Sequence, residues 1–159
     1  MTSSQDTFRV ERSIQVDAPP AEIAPLILDF RRWMDWSPWD KNYPETQRVY
    51  AGAAPGVGAV YEWSGKKAGA GRMEIKRVEP DRITIQLDFT RPMKASNTAE
   101  FTLAPDGAGT RVTWAMFGPK TLMSKVMSVF FSMDSVVGKD FEQGLADMKA
   151  AAERSLAAA

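Results

Sequence analysis

Three side chains in this sequence join a reactive or hydrogen-bonding group to an apolar setting: Asp134, Tyr61 and Asn97. Asp134 interrupts the apolar stripe of a C-terminal helix, where a carboxylate is desolvated and its pKa raised unless it is paired. Such an acid can move a proton; equally, it can be half of a buried salt bridge or the acceptor for a Trp or Tyr donor. Tyr61 puts a phenol on an inward strand face, where it can shift a proton, line a cavity or simply fill core. Asn97 shares that inward side, and its amide can meet a ligand carbonyl or satisfy backbone groups near a strand end. What is missing narrows the chemistry further. The 159 residues hold no cysteine and no histidine, which removes thiolate nucleophiles, disulfides, Cys-based zinc sites and the easiest neutral-pH base. No cofactor or metal is predicted, and any catalysis falls to Asp, Glu, Lys, Arg, Tyr or neutral polar groups.

The elements that must position these groups follow from periodicity. Phe8, Val10, Ile14 and Val16 alternate with polar residues and predict a first strand, whose apolar set Arg12 breaks. Pro19 and Pro20 then open a short helix to about Asp29, since proline is tolerated in a first helical turn. Trp33, Trp36 and Trp39 follow within seven residues, and Pro38 is expected to end a second short helix near Trp36. These tryptophans either wall a cavity mouth or staple the short helices to the sheet.

From Gln47 the period is two. The inward sets are Tyr61 and Trp63; Met73 and Ile75; Ile83, Ile85, Leu87 and Phe89; Asn97, Ala99, Phe101 and Leu103; and Val112, Trp114 and Met116. Such alternation marks an antiparallel sheet with one face on a core and the other in water. Gly56-Val57-Gly58, Ser64-Gly65, Glu79-Pro80-Asp81, Arg91-Pro92 and Asp106-Gly107 supply turns at hairpin spacing. The glycine-rich run Gly65 to Gly71 lacks phosphate-loop spacing and a following helix, so it reads as a hairpin with lysines at its tip.

Thr121 to Ala159 reads as one long helix. Val126, Phe130, Met133, Val137, Phe141, Gly144 and Met148 share a face, with Asp134 in the same arc, and Lys139, Glu142, Lys149 and Glu153 lie opposite, toward water. Val129, Phe131 and Val136 fall outside the stripe, so the first half is to be covered on a second side, by a partner subunit in a homodimer or by the Trp33 to Trp39 segment.

Composition bounds the rest. Twenty Lys and Arg balance twenty Asp and Glu, so the basic footprint of a nucleic-acid binder is missing. The chain has the length of one ordinary domain, and residues 1–159 are read as such, with 1–6 and 157–159 frayed. The N-terminus lacks the pattern of a secretory signal, and Leu122 to Val137 is too short and too polar for a transmembrane segment. A soluble cytoplasmic protein is predicted.

Strand, two short helices, six strands and a long C-terminal helix resemble the helix-grip fold of the START and birch-pollen-allergen superfamily. The local patterns resemble its bacterial branch, the polyketide cyclase/dehydrase or SRPBCC proteins. Ala18-Pro19-Pro20, Asp29 through Trp39, Gly58-Ala59-Val60-Tyr61-Glu62-Trp63, Gly109-Thr110-Arg111-Val112-Thr113-Trp114 and Met133-Asp134 through Glu142 carry the likeness. It implies an α+β fold in which a seven-stranded antiparallel sheet curls around the last helix and leaves a cavity between them. The cavity so implied is expected to be lined by Trp33, Trp39, Tyr61, Trp63, Met73, Phe89, Asn97, Trp114 and Met116 from the sheet side. Phe130, Met133, Asp134, Val137 and Phe141 are expected from the helix. The leading expectation is a binder of a small hydrophobic or aromatic molecule, lipids included. A polyketide cyclase or dehydratase using Asp134 or Tyr61, and a chaperone-cofactor-like interaction module using Leu122 to Val137, are the alternatives.

Overall fold

The structure is a computed structural model, and it describes residues 7–53, 55–91, 94–119 and 133–158; the side chains of 133–136 and 158 are outside that description. Strand β1 (Thr7–Val16) leads into helix α1 (Pro20–Leu28), a 3-10 helix (Phe30–Asp35) and helix α2 (Pro38–Asn42). Six further strands follow: β2 (Gln47–Gly52), β3 (Ala59–Gly65), β4 (Gly69–Glu79), β5 (Arg82–Arg91), β6 (Ala95–Asp106) and β7 (Gly109–Pro119). Helix α3 (Met133–Ala158) closes the chain. The seven strands form one sheet in the order β1-β7-β6-β5-β4-β3-β2, antiparallel at every junction. This is the α+β helix-grip fold expected from the sequence.

Local sequence accounts for most of these elements. Tight turns join β3 to β4, β4 to β5 and β6 to β7, and Gly107, at φ +61°, supplies the left-handed residue of the β6–β7 hairpin. The lysine-tipped hairpin between β3 and β4 forms as expected. Register shifts between Ala70 and Gly71 and between Ile75 and Arg77 interrupt the β4–β5 ladder, and such bulges bend and twist a sheet. Pro38, expected to close the second short helix, instead opens a third one as its first residue. Proline is suited to that position because its missing N–H has no intrahelical partner there.

The inward strand faces are buried as the alternation requires, but unevenly. On β5, Ile83 and Ile85 are fully buried while Leu87 and Phe89 are only half-buried, and on β3 Tyr61 is buried while Trp63 is partly exposed. Two tryptophans close the packed end. The indole N–H of Trp33 donates to the Ile27 carbonyl (2.9 Å) and that of Trp36 to the Leu26 carbonyl (2.8 Å), tying the 3-10 segment to the end of α1. Trp36 is wholly buried against Phe101 and Trp114. It is a staple.

Helix α3 lays Phe141, Leu145, Met148 and Ala152 into the core. Its opposite face departs from expectation in part. Lys139 and Glu142 are exposed, whereas Lys149 and Glu153 are half-buried against the end of β1. The Lys149 ammonium donates to the Gln15 carbonyl (3.0 Å) and to Glu153 (2.6 Å), and the Asp17 N–H donates to Glu153 (2.9 Å). Charged residues opposite an apolar stripe reach water only where the neighbouring strand stops short of them. Arg12, which broke the β1 pattern, lies across α3 at Gly138, where a Cβ would collide with its guanidinium, and within 3.7 Å of Glu142. The expected start of this helix at Thr121, and the second-side coverage inferred from Val129 and Phe131, lie outside the described residues. Among the described residues no helix is long and apolar enough to cross a membrane.

Gly71 on β4 pairs with Trp63 on β3, and a Cβ there would collide with the Trp63 ring and with the Asp88 carbonyl. The glycine of the hairpin run is thus space for an indole. Gly71→Ala should cost about 1–3 kcal/mol in urea unfolding despite alanine's lower chain entropy; an unchanged or raised stability would mean the ring is free to move aside.

Candidate functional site

A cavity of about 230 Å³ lies between the sheet and the described part of α3. Its floor is Met73, Leu87, Phe89, Ala99 and Met116, its sides are Tyr61, Trp63, Trp33, Trp39 and Trp114, and Val137 and Phe141 come from α3. Ten of the residues expected at the site therefore meet there: Trp33, Trp39, Tyr61, Trp63, Met73, Phe89, Trp114, Met116, Val137 and Phe141. The rings hold one another at defined angles. Trp114 stacks on Phe141 at 4.0 Å and 10°, Trp39 meets both edge-on at 5.9 and 6.1 Å, and Trp63 meets Phe89 edge-on at 5.8 Å. The Trp63 indole also donates to the Ala68 carbonyl (3.3 Å) in the hairpin tip.

Asn97 is inward and 8% exposed, but it is not part of the cavity wall. It lies against Gly118 of β7, where a Cβ would collide with its Oδ1, and that oxygen has no hydrogen-bond partner among the described residues. Phe130 lies outside the described residues, as do the side chains of Met133 and Asp134. Helical spacing places position 134 two turns before Phe141 on the same face of α3.

The polar chemistry of the cavity centres instead on a residue that sequence reasoning missed, Asp40 in α2. Its side chain is 5% exposed and lines the cavity together with Ser37, Thr46 and Tyr61. The Tyr61 hydroxyl donates toward Asp40 Oδ1 and Oδ2 at 3.4 and 3.5 Å and accepts from Arg48 Nε at 3.0 Å. Arg48, on β2, is otherwise bound to main chain: Nη1 to the Thr46 carbonyl (3.2 Å), Nη2 to the carbonyls of Asp40 (3.0 Å) and Tyr43 (2.9 Å). Its guanidinium stands 3.9 Å from Asp40 Oδ2. Burial wins over this cation: desolvation pushes the Asp40 carboxyl up from its ordinary 3.8 to about 6, against the lowering effects of Arg48, Tyr61 and Ser37. Burial, then the Asp40 charge, pushes the Tyr61 phenol well above its ordinary value. Tyr61 thus stays protonated and acts as a donor, not as a base. Thr46 Oγ1, also buried, has no hydrogen-bond partner among the described residues. No group of three or more acidic side chains among the described residues is placed to hold a metal ion.

Residues 7–153 match the family described as polyketide cyclase/dehydrase and lipid transport. The chain belongs to this family. No curated protein matches the sequence. Among solved structures, the chain is similar to the di-domain ARO/CYC StfQ from the steffimycin biosynthetic pathway, at TM-score 0.69 and 12% identity, covering 95% of this chain and 52% of that one. It thus spans about half of that two-domain protein. The KanY protein is similar at TM-score 0.67 and 15% identity, over 92% and 98% of the two chains. A protein from Thermobifida fusca is similar at TM-score 0.66 and 21% identity, over 92% and 93%. At these identities the likeness establishes the shared fold, and family membership supports binding of hydrophobic molecules at a general level.

The raised Asp40 pKa has a signed consequence for stability. Between 3.8 and about 6 the folded state holds this proton more tightly than the unfolded chain, so the contribution of Asp40 is most favourable below 3.8 and is lost as pH rises through about 6. Asp40→Asn removes that loss while Arg48 keeps its three carbonyls. Relative to wild type, the variant's unfolding free energy should improve by on the order of 1–3 kcal/mol between about pH 4.5 and about pH 7.5, read from urea curves at each pH. A difference that stays flat over this range would show that Asp40 titrates normally.

Proposed function

We propose that this chain binds a small hydrophobic or aromatic molecule in the cavity between the sheet and α3. One observation carries the reading: a space of about 230 Å³ walled by fixed aromatic rings with a few polar groups gathered at one place. That is the usual make-up of a small-molecule site. The volume lies above the roughly 150 Å³ of an engineered cavity that takes benzene and below the roughly 300 Å³ where drug-sized sites begin. A ligand of one or two fused rings matches it. Family membership and the aromatase/cyclase neighbour support the same reading.

A second reading, a cyclase or dehydratase, is favoured by one feature. Asp40 opens onto the cavity with its pKa near 6, within range of a general base at neutral pH, and Tyr61 beside it is a donor. On this reading Asp40 joins Asp134 and Tyr61, the candidates read from the sequence, in the acid–base part. Loss of turnover in Asp40→Asn with a retained bound ligand would support it; a ligand that dissociates unchanged after prolonged incubation would oppose it.

The binding reading is tested with the neutral two-ring fluorophore 1-naphthylamine. It should bind with enhanced emission and quench the cavity tryptophans. Leu87→Trp, which puts an indole into the space from a half-buried position, should weaken binding by at least about tenfold, or ~1.4 kcal/mol, with little change in melting temperature. Unchanged affinity in a folded Leu87→Trp protein would place the probe elsewhere.

A further inference from the structure

The proposed function leaves open which polar group on a ligand the cavity accepts, and the Asp40 corner bears on that choice. Beside the indole N–H groups of the cavity's tryptophans, hydroxyl and carboxyl groups among the described residues reach it from Ser37, Asp40, Thr46 and Tyr61. Two of them are turned inward on one another. The Tyr61 proton points to Asp40 and its oxygen is taken by Arg48, while Ser37 lies close enough to Asp40 to favour its ionised form. Arg48 is the nearest cation, yet its Nε, Nη1 and Nη2 are spent on Tyr61 and on three main-chain carbonyls. A guanidinium held in this way offers a ligand no fork for a carboxylate.

What remains open to a guest at the carboxylate is acceptor capacity. The carboxylate of Asp40 has about four lone-pair sites, and its contacts with Tyr61 are long, at 3.4 and 3.5 Å. Thr46 Oγ1 is buried, belongs to the same cavity lining and has no partner among the described residues, so its oxygen can accept from a guest hydroxyl. Leaving buried acceptors without donors costs free energy, and a ligand that brings a donor recovers it. An anionic headgroup does the reverse, placing like charge beside Asp40 in a water-poor site.

We propose, resting on the binding function above, that Asp40 and Thr46 select a neutral aromatic ligand carrying a hydroxyl donor, and that the same corner refuses carboxylates, free fatty acids among them. The aromatic walls take the ring system and the hydroxyl points at Asp40. The groups facing Asp40 are Ser37 from its own segment, Arg48 and Tyr50 from β2 and Tyr61 from β3; all but Arg48 are neutral at pH 7. At slightly alkaline pH the carboxylate is ionised and acts as a pure acceptor, while a ligand phenol keeps its proton.

Three probes of one shape separate the possibilities: naphthalene, 2-naphthol and 2-naphthoate, each titrated against the full chain at about pH 7.5 by quenching of tryptophan fluorescence. The expected order is 2-naphthol at least about fivefold tighter than naphthalene, and 2-naphthoate at least about fivefold weaker than naphthalene. In Asp40→Asn both ratios should shrink toward one, and in Thr46→Val the hydroxyl preference should fall by about half or more. Reading ratios within each protein keeps the test valid if a variant binds all three probes less well, and Thr46→Val serves if Asp40→Asn fails to fold. If 2-naphthoate binds as tightly as 2-naphthol, or if the hydroxyl preference survives in Asp40→Asn, the selectivity is overturned and the binding function stands. If none of the three binds, the binding function fails and the selectivity falls with it.

Discussion

The separation between the sheet and its helix is set by one indole. Trp114, projecting from β7, stacks on Phe101 within the sheet face at 5.2 Å and on Phe141 of α3 at 4.0 Å. Rings stacked in this way fix a distance because neither can tilt without losing contact area on both sides. Gly144 makes the approach possible, since a Cβ there would come within 2.9 Å of the Trp114 ring and 3.1 Å of Pro38. The grip is therefore tight at this end of α3. Beyond it Leu87, Phe89 and Met116 face the cavity together with Val137 of α3. A packed end and a hollow end are two results of the same contact.

Within that hollow, Asp40 is a local expense that the rest of the fold carries. A carboxylate desolvated to the point of a near-neutral pKa gains little from Arg48, whose guanidinium is 3.9 Å away and committed to main chain. Replacing such a buried polar cluster by apolar side chains is often neutral or stabilising. The main-chain bonds of Arg48 do have a structural consequence, because they join the α2 segment at Asp40 and Tyr43 to strand β2. The carboxylate itself has none of comparable weight. Local departures from stability of this kind concentrate where function resides, and this one lies on the cavity wall.

The strands that border the core were legible because their apolar residues point inward, and Tyr61, Met73, Phe101 and Trp114 could be placed on one face from alternation alone. The helix stripe through Phe141 and Met148 was legible for the same reason, with a period of 3.6 in place of two. Strand β2 was not, because it inverts the rule. Val49 is 54% exposed while Arg48 and Tyr50 turn inward, so hydropathy points the wrong way at the one strand that supplies the buried cation. Asp40 was hidden by Pro38. Read as the end of a helix, that proline leaves Asp40 in a loop; as the first residue of α2 it makes Asp40 a first-turn acid facing the cavity. Asp134 drew attention because it breaks a visible pattern, whereas Asp40 breaks none. Polar groups recruited from a single helical turn leave no periodic trace.

The walls bear on how binding would be achieved. Tryptophan has two side-chain torsions, and three of the five here spend their indole N–H on main-chain carbonyls: Trp33 on Ile27, Trp36 on Leu26 and Trp63 on Ala68. Each such bond fixes both torsions at once. Gly71 and Gly144 then hold Trp63 and Trp114 close to backbone, which limits rotation further. A cavity walled by immobilised rings is formed before the ligand arrives, so little ordering free energy is charged to binding. The same rigidity limits what can enter. Flexible aliphatic walls reshape around many guests, whereas fixed planes at 80–90° to one another, as Trp39 stands to Trp114 and Phe141, would favour flat molecules over bulky ones. On the proposed function, selectivity for shape would come from the aromatic scaffold and selectivity for polar group from the Asp40 corner. The two are separable because they are built on different elements.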